Sequence, residues 1–482
     1  MRLARDIVTY GLGDAAVRAA ALITVPIYTR LFPPEEYGVL AYALALSGIA
    51  LVILGLGGES AFSRYWFDLP EAARRTLTST WICFVAAWSA TAVLPLVFWR
   101  NELAATLLDG STHGVALALA FVAVPFTLVG LTCGQVLRNR FQPITFVALN
   151  LLMVTLTVGI GLTAVLVFDA GVVGVLLGMA LAPAMLLPFR LWTVRDVVGL
   201  TFSAPLLRQM LGFGMPLMVA SGAYWVLTTS DRILLEQFIG VGPVGIYSVA
   251  VTLSMLVHLA LGAIGQAWSP HFLAIYRAEP DRAPRVAADF ALLIVAGFGW
   301  ISVLLATYAE EFVRLLSGGG YQAAAVAVLP LALSVSANAA AQVTAVGISI
   351  RKRTHWMAWL SWAAAGLNVG LNVLLIPRWG IAGAAWATAF AFAALSLSYG
   401  VVSQRLWPMP FQIGRVGLLV GLTVGAGFVG SQLSLGGLWP TVALKAGFLA
   451  AVALALASVC GITLLRNLRG LLDRPAQPMA TA

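Results

Sequence analysis

Charge is scarce in this chain: only 10% of its 482 residues are Asp, Glu, Lys or Arg, against about a quarter in a water-soluble domain. Lysine is nearly missing. Lys352 and Lys445 follow Arg351 and Leu444, so no Gly-Lys pair exists to cradle phosphate and the chain carries no ATP motor of its own. Cysteine is limited to Cys83, Cys133 and Cys460, each inside an apolar run and none in CxxC spacing, which excludes a disulfide or thiolate-metal framework. The four histidines (His113, His258, His271 and His355) show neither metal spacing nor HExxH, so no metal or other cofactor is expected. G-x-S-x-G is absent. Gly11-Leu12-Gly13-Asp14-Ala15-Ala16 fits a dinucleotide fingerprint in letters only, because no strand precedes it and it opens an apolar helix.

What fills the space is apolar: 61% of the residues. A membrane-crossing helix needs about 20 such residues, and only helices or closed barrels satisfy their backbone in lipid. Barrel strands alternate apolar and polar positions, whereas Val39 to Gly57 and Ala446 to Leu465 are almost continuously apolar, which selects helices. The expected fold is all-α and polytopic. Fourteen transmembrane helices are expected, near 9–32, 38–62, 77–99, 114–135, 143–167, 171–190, 211–232, 243–267, 287–308, 323–350, 356–376, 380–402, 416–434 and 441–465. Tight hairpins are expected at 169–171 and 377–380. Arg2 and Arg5 precede an apolar stretch without a small-residue cleavage site, so helix one is read as retained.

Counted on the loops this topology creates, 21 Lys and Arg fall on the N-terminal side and 5 on the other. The positive-inside rule then places both termini in the cytoplasm of a multi-pass bacterial inner-membrane protein. The net charge of +9 is therefore a set of topology signals and not a nucleic-acid surface. Eight tryptophans, Trp66 and Trp99 among them, fall near proposed helix ends, as interfacial indoles do. The one acidic pair at spacing two, Glu279 and Asp281, falls on the cytoplasmic side. An outer-face metal or base for glycosyl transfer is thus missing, which disfavours an enzyme.

The polar, basic segment 191–210 reads as a cytoplasmic linker. It separates an N-terminal lobe, 1–190 with helices one to six, from a C-terminal lobe, 211–405 with helices seven to twelve; 406–482 forms an appended helix pair and tail. Gly11-Leu12-Gly13 leading to Tyr37-Gly38 and Gly212-Phe213-Gly214 leading to Gly245-Ile246-Tyr247 are compatible with a six-plus-six repeat and equally with chance in glycine-rich sequence. GxxxG spacings at Gly130/Gly134, Gly174/Gly178, Gly366/Gly370 and Gly421/Gly425 predict close helix packing.

Charges kept inside apolar runs cost about 2.5–3.5 kcal/mol each on insertion scales, so they pair or line a cavity. Arg18 lies mid-helix with Asp14 one turn earlier, which permits an intrahelical ion pair or a lumenal role. Arg64, beside Glu59, ends helix two and is either a cavity cation or a snorkelling topology arginine. Asp231 and Arg232 close helix seven as a structural or a functional pair. His258, midway along helix eight, is a proton relay or a bundle hydrogen-bonder. Arg18, Arg64 and Arg232 form the candidate cationic cavity, suited to phosphate through guanidinium forks; Asp14, Asp231 and His258 are the ion-coupling or ion-pairing candidates.

Five stretches resemble bacterial polysaccharide or O-antigen flippases, in the superfamily that also holds multidrug/cation antiporters and the peptidoglycan lipid flippase. They are Pro26-Ile27-Tyr28-Thr29-Arg30-Leu31 with Glu35-Glu36-Tyr37-Gly38; Gly55-Leu56 leading to Ser63-Arg64-Tyr65; Leu211 to Leu217; Ser230-Asp231-Arg232 with Gly245-Ile246-Tyr247-Ser248; and Asn368, Asn372 and Ile376-Pro377 with Gly380 to Ala385. The resemblance implies two six-helix lobes around a central cavity and alternating access. Its implied cargo is an undecaprenyl-diphosphate-linked oligosaccharide, used for O-antigen, capsule or exopolysaccharide. Arg64 carries over as a cavity cation and Asp231-Arg232 as a motif pair; Asp14 and Arg18 have no counterpart in those motifs. A monomer is expected, among membrane lipids, with a glycan polymerase and chain-length regulator as partners. The alternatives are a drug/cation antiporter, a membrane glycan polymerase or ligase, and a scaffold without transport.

Overall fold

The computed structural model describes residues 23–108, 111–434 and 438–461. Asp14 and Arg18 lie outside the described residues. Every regular element among the described residues is helical. The first is α1, described over 23–31. It is followed by α2 (Pro34–Gly55), α3 (Gly58–Asp68), α4 (Arg74–Phe98), α5 (Arg100–Leu107), α6 (Gly114–Asn139), α7 (Pro143–Phe168), α8 (Gly171–Thr193) and α9 (Ala204–Ile239). Then come α10 (Val241–Ala278), α11 (Ala283–Thr307), α12 (Ala309–Leu316), α13 (Ala325–Thr344), α14 (Val346–Ile350), α15 (His355–Leu406), α16 (Ile413–Gln432) and α17 (Leu438–Cys460).

Local chemistry explains the boundaries. Helix α7 starts with Pro143 in its first turn, where the missing N–H is unneeded. It runs 26 residues without a charge, about 39 Å and enough to span hydrocarbon about 30 Å thick. Asp169 and Gly171 then turn the chain in left-handed conformation, φ 49° and 53°, making the expected first hairpin. The second is at Gly380, whose φ 55° and ψ −132° fold the 52-residue α15 back on itself just past Pro377. Twelve helices among the described residues are long and apolar enough to cross a membrane. With α15 counted as two spans at Gly380, the described residues supply thirteen of the expected fourteen, and most of the expected first helix, 9–32, lies outside them.

Two boundaries differ from expectation. Helix α9 covers 204–239 instead of 211–232, and α10 covers 241–278 instead of 243–267. The earlier start of α9 comes from Ser203, whose hydroxyl accepts from the Leu206 N–H at 3.4 Å, with Pro205 in the first turn. Its later end comes from burial of Asp231 and Glu236, at 2% and 8% exposure. Their charges do not end the helix because the protein, not solvent, surrounds them.

The described helices form two compact units: Met1–Val249 with Leu316–Tyr321, and Ala250–Leu315 with the remainder from Gln322. These units break within α10, whereas the lobes expected from sequence meet at 191–210; density of packing and internal repetition need not share a boundary. In the first unit α8 packs along both α6 and α7, and α2 runs antiparallel to α9, its end at Gly57 against Gly214 and its start at Gly38 against Val241. In the second, α13 packs on α15 and α11, while α16 and α17 cover α11 through Leu419, Leu449 and Val452 against Leu292 and Val303. Of the GxxxG pairs, Gly174 and Gly178 do bring α8 onto the α7 backbone, a Cβ at Gly174 meeting Val165 N at 3.1 Å. Gly366, Gly370, Gly421 and Gly425 meet nothing within 4 Å, so spacing alone does not make them packing sites.

Candidate functional site

Four of the motif stretches singled out in the sequence converge in pairs on the α2–α9–α10 seam of the first unit. At one end, a Cβ on Gly57 would overlap the carbonyl oxygen of Gly214, and one on Gly214 would stand 2.5 Å from Leu56 O. At the other, a Cβ on Gly38 would overlap Val241 O and one on Gly245 would overlap Pro34 O. Backbone touches backbone at both ends, so α2 is clamped at its two ends by small residues.

The first of these ends is basic. There α2 breaks at Leu56 and Gly57, both left-handed (φ 50° and 66°), and restarts as α3. The break opens a cavity of about 310 Å³ whose polar lining is Glu59, Ser60, Thr132 and Ser221, with Trp81 among its apolar walls. That volume is at the low end for small-ligand pockets. Glu59 pairs with Arg138 at 3.6 Å. Arg64 does not line this cavity. It points along α3 to Asp68, Nε to Oδ2 3.3 Å, and lies 4.5 Å over the Phe213 ring, its side chain 55% exposed.

Trp66, buried, has Arg74 at 5.1 Å and Arg140 at 5.8 Å over its ring. Arg140 donates both guanidinium arms to the Asp196 carboxylate, one of them at 3.1 Å, and so ties the α8–α9 connection to the end of α6. The hydrogen bond from Arg140 is the main reason the Asp196 carboxyl is held below the usual carboxylate range, with its charge and that of Arg195 adding to the effect. The same connection is pinned to α4: Gly199 N–H donates to Ser79 Oγ at 2.8 Å and Ser203 N–H to Thr80 Oγ1 at 3.0 Å.

At the opposite end, Asp231 is almost fully buried on α9. Its carboxylate accepts from the Tyr247 hydroxyl of α10 and from the backbone N–H of Arg232 at 2.9 Å. Two quoted motifs, Ser230-Asp231-Arg232 and Gly245-Ile246-Tyr247, are thus one hydrogen-bonded unit. Arg232, the next residue, is half-buried. Tyr42 of α2 is fully buried, and Glu236 is buried near the end of α9.

The structure therefore joins Asp231 to Arg232 and Tyr247 but separates that group from Arg64. From Phe213, beneath Arg64, to Arg232 is 19 residues of α9, roughly 28 Å at 1.5 Å per residue. His258 is half-buried on α10 in the second unit. Sequence reading missed Glu236, which it placed in a loop. The signal for Glu236 was the Ser203-Ala204-Pro205 start, which puts helix α9 earlier.

Fold and site together define a multi-pass membrane protein, all-helical over the described residues, whose charges gather at helix ends, with Asp231, Glu236 and Lys445 buried within the bundle. Residues 3–275 match the model of the family described as polysaccharide biosynthesis protein, and the chain belongs to that family. The Lsg locus putative protein 1 of Haemophilus influenzae is 21% identical over 287 residues, 56% of this chain and 66% of that protein. An uncharacterized membrane protein of Methanocaldococcus jannaschii is 26% identical over 40% of this chain and 38% of its own length. The matched stretches thus span less than two thirds of either relative. Among solved structures, a lipid II flippase in its inward closed conformation has a TM-score of 0.76 at 13% identity, over 96% of this chain and 100% of that one. An inward-facing multidrug resistance transporter has 0.60 at 16%, over 85% and 99%. At these identities the likeness is one of fold.

Proposed function

We propose that the protein moves an undecaprenyl-diphosphate-linked oligosaccharide across a bacterial inner membrane by alternating access, leaving it chemically unchanged, for assembly of a surface polysaccharide. The family match over residues 3–275 carries this reading; a fold shared with a lipid II flippase over nearly the whole chain supports it. In this reading the basic end faces the cytoplasm, with both termini, and the protein acts as a monomer. Its product passes to a glycan polymerase and chain-length regulator.

The arginines act as successive stations. From Phe213, over which Arg64 lies, to Arg232 is roughly 28 Å along α9, close to the hydrocarbon thickness of about 30 Å, so one diphosphate meets the two arginines in turn and not together. Arg18 joins them as a third cation of the pathway. Asp14, Asp231 and His258 serve ion pairing or coupling to an entering cation. A headgroup of two negative charges leaving a negative interior gains about 2.3 kcal/mol per charge per 100 mV, so the membrane potential supplies a drive of its own.

A second reading, a drug/cation antiporter, draws on one observation against expectation. The sequence puts Asp231 at the end of helix seven and Glu236 beyond it, but both are buried on α9, and carboxylates within the bundle suit a cationic cargo. Proteoliposomes separate the two. With an imposed potential, the flippase reading expects a fluorescent undecaprenyl-diphosphate oligosaccharide to cross and a cationic dye not to. Dye exchange against protons or sodium, with the lipid left in place, overturns it.

A further inference from the structure

The connection between α12 and α13 parts company with its neighbours in the chain. Leu316–Tyr321 pack with the first unit, whereas the residues on either side of them belong to the second. They lie on the turn from α1 into α2, at the end of the bundle away from Arg64. Leu316 O accepts from the Thr29 hydroxyl at 3.1 Å, and the Tyr321 hydroxyl donates to Phe32 O at 2.9 Å. Tyr321 is fully buried, and its ring meets that of Tyr37 edge-on with centroids 6.0 Å apart. Between these two anchors run Gly318, Gly319 and Gly320. A Cβ on Gly318 would stand 2.5 Å from Thr29 O, and Gly320 is left-handed at φ 97°. A side chain at Gly318 would lift the segment off the turn; one at Gly320 would strain it.

The two sides of this contact are held unequally. The turn is fixed: Pro33 and Pro34 restrict its backbone, and Pro34 O lies where a Cβ on Gly245 of α10 would overlap it. The segment is not fixed in that way. Three consecutive glycines lose more conformational freedom on docking than any other residues would, and Gly319 and Gly320 are exposed. Undocking also strands little. The Thr29 hydroxyl donates to Val25 O at 2.8 Å as well, so it keeps an acceptor. The Tyr321 hydroxyl and Phe32 carbonyl exchange one bond for bonds to water at the bundle end, where the net difference is small.

We propose that Leu316–Tyr321 is a releasable clasp, seated on the α1–α2 turn in this conformation and unseated once in each transport cycle. The proposal rests on the alternating-access reading, in which that end of the bundle faces outward and opens to release cargo. Helix α12 runs directly into the clasp and a single helical turn joins it to α13, so movement of either helix reaches the turn through the chain itself. Gly318 allows the seat, Tyr321 is the catch, and Gly319 with Gly320 is the hinge.

Spin labels on Arg30→Cys and Gly319→Cys report the seat. Both positions are exposed, and they flank the close approach of Gly318 to Arg30; the exposed native cysteine is removed by Cys83→Ser. In proteoliposomes of the full-length protein the label distances should fall into a seated and a longer, unseated population. Gly318→Ala and Tyr321→Phe should each enrich the longer one, and Arg314→Gln, an exposed change one turn earlier, should not. A single short distance in the parent and in Gly318→Ala alike refutes the clasp. Added undecaprenyl-diphosphate oligosaccharide should change the ratio; two populations that it leaves unchanged count against the cargo and not against the clasp. Joining the same two cysteines with a reducible cross-linker should stop flipping, and reduction should restore it. Cross-linked protein that flips lipid at the unlinked rate shows that the segment is a static support.

Discussion

The carbonyl oxygen of Leu56 lies 2.5 Å from the point where a Cβ on Gly214 would stand. The α2 break and α9 therefore meet backbone to backbone, and the cavity beside Glu59 is bounded by that contact. Gly214→Ala must push apart two segments that have no flexible side chain to yield. A loss of about 1–3 kcal/mol is expected, the usual range for overpacking, read as a lower melting temperature in detergent. Gly212→Ala, which meets nothing within 4 Å, should be neutral or stabilising, since alanine is the better helix former by about 1 kcal/mol. Equal melting of the two variants would contradict the close contact.

Tyr247 and Asp231 give a second expectation. The hydroxyl satisfies a buried carboxylate, and hydrogen bonds to charged groups contribute about 1.5–3 kcal/mol. Tyr247→Phe should destabilise by that order, while the double variant with Asp231→Asn should recover part of the loss because no charge is then stranded. A thermal double-mutant cycle measures the coupling, and strict additivity would show that the pair does not interact.

Lys445 and Glu311 predict an asymmetry in the second unit. Nζ and Oε1 are 2.5 Å apart, with the lysine side chain only 6% exposed and its ammonium 5.3 Å from the Tyr308 ring. Removing one partner of a fully buried pair costs about 3–5 kcal/mol, and less here with Glu311 36% exposed, whereas replacing the charges by apolar side chains of similar volume is often near neutral. Glu311→Gln should therefore be the more harmful change and Lys445→Met added to it should restore stability, as judged by unfolding midpoints.

Asp196 predicts a pH dependence of small size. Its folded-state carboxyl is held below the ordinary value, first by the Arg140 hydrogen bond. The pair therefore stabilises fully above the unfolded pKa of about 3.9 and loses that stabilisation as pH falls through the lower folded value. With Asp196 62% exposed, the contribution at neutral pH is at most about 1 kcal/mol. Limited proteolysis of the 194–203 connection should be faster in Asp196→Asn than in the parent at pH 7, and the difference should vanish at the acid end of the range.

Apolar runs of membrane-spanning length, sparse charge and turn residues at 169–171 and 377–380 determined the helices of the described residues and both tight hairpins, because burial in lipid and backbone self-satisfaction act on each segment alone. The family motifs were legible too. That Gly57 meets Gly214 and Gly38 meets Val241, that Tyr247 holds Asp231, that Glu236 lies buried on an extended α9, and that Tyr321 reaches the α1–α2 turn were decided only in three dimensions. These depend on which helix faces which, a choice between segments far apart in the chain. A charge written in a sequence has a sign; whether it is paired, buried or left for a ligand depends on the neighbours that packing brings to it.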